Sequence, residues 1–139
     1  MQTILDILKL AGGFRPTLYL KIENPPYMAL VIEATPEPGP MGLPALSVAH
    51  YGEQNGDLMR DPEMCFELCL PLGSKACLDP FYWRNDYFGV EQWSRNLIRD
   101  HYVCLLELHK QHERFAETWN DNLRLQGFVE AFTGKCICG

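Results

Sequence analysis

The chain has 139 residues, 47% hydrophobic, 22% charged and 12% aromatic, a composition that fits one compact domain and excludes a disordered chain. On folding, a domain of this length buries roughly two-thirds of the surface its unfolded form exposes, enough for one real core. The net charge of −6 at pH 7 argues against direct contact with a nucleic-acid backbone, which calls for clustered Lys and Arg.

The charge is uneven. Residues 1–70 hold four Lys/Arg and nine Asp/Glu, whereas residues 71–139 hold eight and nine. The acidity belongs to the front half, so the expected partner is a protein with a basic or nucleic-acid-binding surface. No segment reaches the ~18 uninterrupted apolar residues of a membrane span, and MQTILDILKLAGGF lacks the basic start of a signal peptide. A cytoplasmic address is therefore expected, and with it reduced thiols at Cys65, Cys69, Cys77, Cys104, Cys136 and Cys138. Their spacings, CxxxC and CxC, miss the paired knuckles of structural zinc sites. No cofactor is expected.

In chain order, residues 3–11 place Ile4, Ile7, Leu8 and Ala11 on one helical face, with Thr3 and Asp6 at capping-box spacing and Gly12-Gly13 as a stop. TLYLKIEN and YMALVIEA alternate like strands and meet at a turn over Asn24-Pro25-Pro26. Residues 35–44, with four prolines and two glycines, are read as a surface loop and mobile arm. ALSVAHYGEQ and DLMRDPEMCFELCL flank Asn55-Gly56, a strong hairpin signal because both residues tolerate positive φ.

Alternation turns Leu46, Val48, Met64, Phe66, Leu68 and Leu70 inward, and Ser47, Ala49, Tyr51, Glu53, Cys65, Glu67 and Cys69 outward. Pro62 marks a bulge or an edge. CLDPFYWRNDYFG reads as a fifth strand, with Phe81 and Trp83 in the core and Tyr82 and Arg84 at the surface. From Val90 to Gly127, apolar and boundary residues from Trp93 through Leu97, His101 and Cys104 to Trp119 recur at spacings of three, four or seven. This predicts a long amphipathic helix or two in succession, broken near residues 96–100 or 120–122. The expected fold is α+β in a single domain (1–139). It comprises an antiparallel sheet of about five strands with a short N-terminal helix and a long C-terminal helix or helix pair. Helices on one face would leave Tyr19, Tyr27, Val31, Ala49 and Tyr51 on the other, the first candidate for a binding surface.

Several motifs carry a chemical reading beside a plainer one. Glu53, Asp57, Asp61 and Glu63 on the hairpin are close enough in sequence to chelate a divalent cation. Acidic hairpin tips more often serve solubility, and these miss the spacing of a calcium loop. His109, His112 and Glu113 share one helical turn, but ELHKQHER reads first as a solvated, ion-paired face. His50 could activate Cys65 or Cys69 on the partner strand, yet parity sends His50 inward and Cys65 outward. FYWRND could stack bases but lacks a basic funnel.

The run LYLKIENPPYMALVIE, followed by GLPALSVAHYGEQNGDLMRDPEMCFEL and YWRNDYFGVEQ, resembles a small uncharacterised domain of bacterial plasmids, conjugative elements and phages. The resemblance covers about residues 15–92 and implies a mobile-element origin without assigned catalytic residues. The predicted helix after Gln92 departs from the β-rich ending expected of that domain. Together with the charge, the resemblance implies a non-enzymatic interaction protein. One class is an inhibitor of a host defence system, of anti-CRISPR or anti-restriction type, whose acidic surface occupies a nucleic-acid-binding cleft. The surface expected to bind is Tyr51, Glu53, Asp57, Asp61 and Glu63, with the proline-rich arm beside it. The alternative is a metal-dependent or Cys/His enzyme using His50 and the hairpin carboxylates. The C-terminal helical stripe could also pair two copies as a homodimer.

Overall fold

The computed structural model describes residues 1–70 and 75–138. Its fold is α+β. Helix α1 (Gln2–Leu10) precedes strands β1 (Tyr19–Asn24), β2 (Tyr27–Ala34), β3 (Ala45–Gln54), β4 (Asp57–Cys69), β5 (Cys77–Asn85) and β6 (Val90–Trp93), which form one sheet in sequential order. Every neighbouring pair is antiparallel. Strands β7 (Arg95–Ile98) and β8 (His101–Cys104) form a separate hairpin, followed by α2 (Leu106–Leu125) and α3 (Phe128–Cys138).

The meander forms where turn chemistry interrupts alternating strands. Asn55 and Gly56 take φ of +53° and +86°, the left-handed pair that a two-residue hairpin needs, and Gln54 faces Asp57 across it. The irregularity expected at Pro62 is present: β3 pairs with β4 at Ala49–Glu63 and resumes at Tyr51–Arg60. A second irregularity lies between Cys65 and Phe66, whose partners on β5 are Tyr82 and Pro80. The extra residue, Phe81, lets Phe81 and Tyr82 bury together beside Ala45 and Cys65. Tyr82 is thus buried and not at the surface as its parity suggested.

All three helices cover one face of the sheet. Ile22, Leu30, Ile32, Val48, Met64 and Phe66 meet Ile4 and Ile7 of α1, Trp119 and Leu123 of α2, and Phe128 of α3. The stripe on α2 is thus occupied by the chain's own sheet. The helix predicted from Val90 begins only at Leu106. Residues 90–93 instead extend the sheet, because the open edge of β5 offers hydrogen bonds and side-chain partners: Arg84 faces Glu91, and Trp93 packs on Tyr82 with ring centroids 4.5 Å apart. Thr3 and Asp6 form no capping box. The buried Thr3 takes Asn120 instead, its N–H donating to Asn120 Oδ1 at 2.8 Å and its hydroxyl to the Asn120 carbonyl at 3.2 Å.

The opposite face departs most from expectation. Val31, Ser47 and Ala49 are buried, and Glu67, in an outward-facing position, is fully enclosed at 0% exposure. Leu70, expected inside, is exposed. Glu67 is covered because two segments fold over it. Its Oε2 accepts the backbone N–H groups of Met41 at 2.8 Å and Leu43 at 3.2 Å, so the proline-rich arm is tethered to the sheet. Its Oε1 lies 2.6 Å from Nη1 of Arg95, which opens β7 and is 2% exposed. Arg95 also donates to the carbonyls of Pro80 at 3.1 Å and Asp79 at 3.0 Å, 5.8 Å from the centre of the Phe81 ring. A methyl group at Gly39 would overlap Glu67 Cγ, so the arm reaches the carboxylate because glycine stands there.

Removing one partner of a buried, hydrogen-bonded ion pair leaves an uncompensated charge, which costs about 3–5 kcal/mol. Glu67→Gln and Arg95→Met are each expected to lower the unfolding free energy by about that amount in urea denaturation. A loss of only ~0–1 kcal/mol from both, the scale of a surface pair, would contradict the burial described.

Candidate functional site

The five residues expected to form an acidic docking patch do not act as one group. Glu53 and Asp57 project from the exposed β3–β4 tip. Asp61 accepts the side-chain amide of Asn85 at 2.8 Å, and Glu63 accepts the Ser47 hydroxyl at 2.6 Å and lies 3.3 Å from Arg60. Tyr51 sits opposite Arg60, half-buried, and its hydroxyl pKa is raised by burial and by Glu63.

These side chains belong to a polar network across β4, β5 and β6. Asp86 joins Arg60 and Arg84, and Glu91 joins Arg84 and Tyr82. Arg60 and Arg84 set two positive charges among the four carboxylates of Asp61, Glu63, Asp86 and Glu91, so the patch is only partly compensated inside the sheet.

The candidate enzymatic groups are kept apart as well. His50 projects to the helix side, as its parity required, and lies 5.6 Å from both the Trp119 and Phe128 ring centres. Its Nδ1–H donates to the Ala29 carbonyl at 3.3 Å. Cys65 lies on the other face beside Ala45, Phe81 and Tyr82, and burial pushes its thiol pKa far up, which removes the nucleophilic thiolate. A shallow groove of about 260 Å³ opens at Tyr27, Met28, His50, Trp119 and Gln126.

His109 and His112 also diverge. His109 Nε2 meets Asp79 Oδ1 at 2.7 Å. His112 is buried, its Nδ1 accepting the Ser94 hydroxyl at 2.8 Å and its Nε2–H donating to Gln92 Oε1 at 3.0 Å. ELHKQHER is therefore not a uniformly solvated face: two of its residues pin α2 to the strands. Among the described residues, no three His, Cys, Asp or Glu side chains converge as metal ligands do. The side chains of Cys136 and Cys138 lie outside the described ones.

The two segments that meet at the Glu67–Arg95 pair both carry exposed apolar side chains. Met41 and Leu43 on the arm carry the two amides that bind Glu67 and expose 59% and 37% of their surface. Leu97 follows Arg95 on the same face of β7, and its cross-strand partner is Tyr102. They are 52% and 45% exposed. Leu105 and Leu106, at the end of this hairpin, are exposed too. Met41 and Leu43 lie on the proline-rich arm that the sequence sets beside the binding surface, whereas Leu97, Tyr102, Leu105 and Leu106 carry no sequence signal for binding. Leu97 was read as part of a buried helical stripe, and the Ile98–His101 turn that builds the hairpin uses Arg99 and Asp100 at φ of +51° and +65° instead of Asn-Gly.

Residues 2–129 match the family described as Domain of unknown function (DUF6908). The chain belongs to this family. No curated protein and no solved structure matches it. The family description carries no activity. No helix among its described residues is long and apolar enough to cross a membrane.

Burial holds His50 and His112 below the ordinary histidine range, His112 at about 4, with His109 nearby adding to its shift. Unfolded histidines take up protons near pH ~6.5. The unfolded state therefore binds more protons between that pH and about 4, and stability falls as the pH drops through this window. The urea midpoint should fall in wild type between pH ~6.5 and ~5, and less steeply in His112→Gln. An unchanged slope in the variant would contradict a neutral, buried His112.

Proposed function

We propose that this chain is a non-enzymatic interaction module that docks a partner protein on the apolar surface formed by the arm and the β7–β8 hairpin. The observation that carries this reading is the exposure of Met41, Leu43, Leu97 and Tyr102 around a fully buried ion pair. Apolar side chains held outward on rigid supports are what a partner can desolvate without an ordering penalty. The reading is supported over the enzymatic alternative because His50 is packed between aromatic rings and Glu63 is held by Ser47 and Arg60.

The partner's chemistry follows from charge. With a net charge of −6 and Glu53 and Asp57 free at the tip, the module suits a protein with an apolar patch and a basic rim. A nucleic-acid-binding host protein is such a partner, and a defence nuclease blocked by a mobile-element inhibitor is the specific case we favour. The resemblance of residues 15–92 to domains of plasmids and phages supports that case. On this reading the apolar surface supplies affinity, and the acidic tip accelerates encounter.

Affinity capture from host lysate, quantified for wild type, Met41→Ser/Leu97→Ser and Glu53→Gln/Asp57→Asn, tests the reading. The apolar double variant should fold like wild type and lose its specific partner by about tenfold or more. The tip variant should weaken capture mainly at low salt. Retention of every partner by a folded Met41→Ser/Leu97→Ser protein would overturn the proposal.

A further inference from the structure

Cys69 ends β4, Cys77 begins β5, and the two are direct partners in the antiparallel register. The N–H of the preceding Leu68 points away from β5, donating to the Pro44 carbonyl at 2.8 Å. Backbone groups alternate along a strand, so those of Cys69 point toward β5. The cysteines thus form a hydrogen-bonded cross-strand pair, for which Cα atoms lie about 5.5 Å apart. That spacing falls within the roughly 4.4–6.8 Å that a disulfide spans. Cys77 is exposed and Cys69 half-buried, so an oxidant in solution can reach the pair.

We propose that Cys69 and Cys77 are a reversible redox pair that a low-molecular-weight disulfide such as glutathione disulfide converts to a cross-strand disulfide. Cys77 reacts first because it is exposed. Its thiolate attacks one sulfur of glutathione disulfide, expelling a glutathione thiolate that takes up a proton and leaving a mixed disulfide on Cys77. Cys69 then gives up its proton and attacks the Cys77 sulfur, expelling the second glutathione. Two electrons and two protons pass from the protein thiols to glutathione disulfide, giving one intramolecular bond and two molecules of glutathione.

Two properties of the pair follow from its surroundings. Burial, the contact with Cys77 and the nearby Asp79 and Glu67 push the Cys69 thiol up to about 11, so the closing step is slow at neutral pH and quickens as pH rises. The Cβ atoms of a hydrogen-bonded pair start about 5.5 Å apart, wider than the ~3.5–4.5 Å of a relaxed disulfide. The bond therefore forms under strain and is easily reduced, the behaviour of a regulatory disulfide and not of a structural one. Cys65 is a weak competitor, since it is half-buried beside Ala45, Phe81 and Tyr82 and its thiol is held protonated. The bond would close two residues from Glu67 on β4 and two from Asp79 on β5, the carboxylates that hold Arg95.

Trypsin cuts after Lys75 and so separates Cys69 from Cys77. The full chain is incubated with glutathione disulfide at mildly alkaline pH, alkylated, run on a non-reducing gel, and the monomer digested. Peptide 61–75 should appear linked to peptide 76–84 in wild type and in Cys65→Ser, and be released by dithiothreitol. The link should vanish in Cys77→Ser, an exposed position where folding is unaffected, and in Cys69→Ser. Recovery of both peptides fully alkylated, loss of the link in Cys65→Ser, or a link found only in a covalent dimer would each overturn the proposal.

Discussion

The buried ion pair between Glu67 and Arg95 is the contact on which the second face of this protein depends. A carboxylate at 0% exposure is tolerable only where its lone pairs are filled, and here two arm amides and a guanidinium fill them. Arg95 is equally committed, to Glu67 and to two carbonyls of β5. A buried pair of this kind is poor evidence for stability, since an apolar pair of the same shape can do as well. Its value here is positional: one carboxylate fixes both the proline-rich arm and the β7–β8 hairpin to the centre of the sheet. Neither segment has a core of its own, and the helices cover only the opposite face.

Much of the sheet was legible in the sequence. Alternation gave the helix-side core through Leu46, Val48, Met64 and Phe66, and Asn55-Gly56 and Pro62 located the turn and the bulge. These signals are local, because backbone sterics and the two-residue period act within a few positions. The failures are all non-local. Glu67 was read as facing water because its phase is outward, and nothing within the strand shows that residues 41 and 95 close over it. The helix extrapolated back to Val90 failed because spacings of three and four also occur by chance in a hairpin. At residues 90–93, pairing with the open edge of β5 outweighed helical propensity.

The candidate site was correspondingly less legible. Glu53 and Asp57 are exposed at the tip, but Asp61 is held by Asn85 of β5, and Glu63 by Ser47 of β3 and by Arg60 of its own strand. Met41 and Leu97, the exposed apolar residues proposed to dock a partner, stand more than fifty positions apart, and Glu67 binds both of the segments that carry them. The acidic tip with Glu53 and Asp57 lies at the opposite end of the β3–β4 pair from Glu67. The Cys69–Cys77 pair lies two residues from Glu67 on β4 and two from Asp79 on β5, so its oxidation state would bear on how firmly those two segments are held.

The claim that Glu67 anchors the arm is tested most directly by amide hydrogen exchange at single residues. If the carboxylate holds the arm, the Met41 and Leu43 amides exchange as slowly as those of the sheet in wild type and at near-unprotected rates in Glu67→Ala, while the β3–β4 tip is unchanged. Unprotected Met41 and Leu43 amides in the wild-type protein would contradict the anchoring and remove the support for the docking surface.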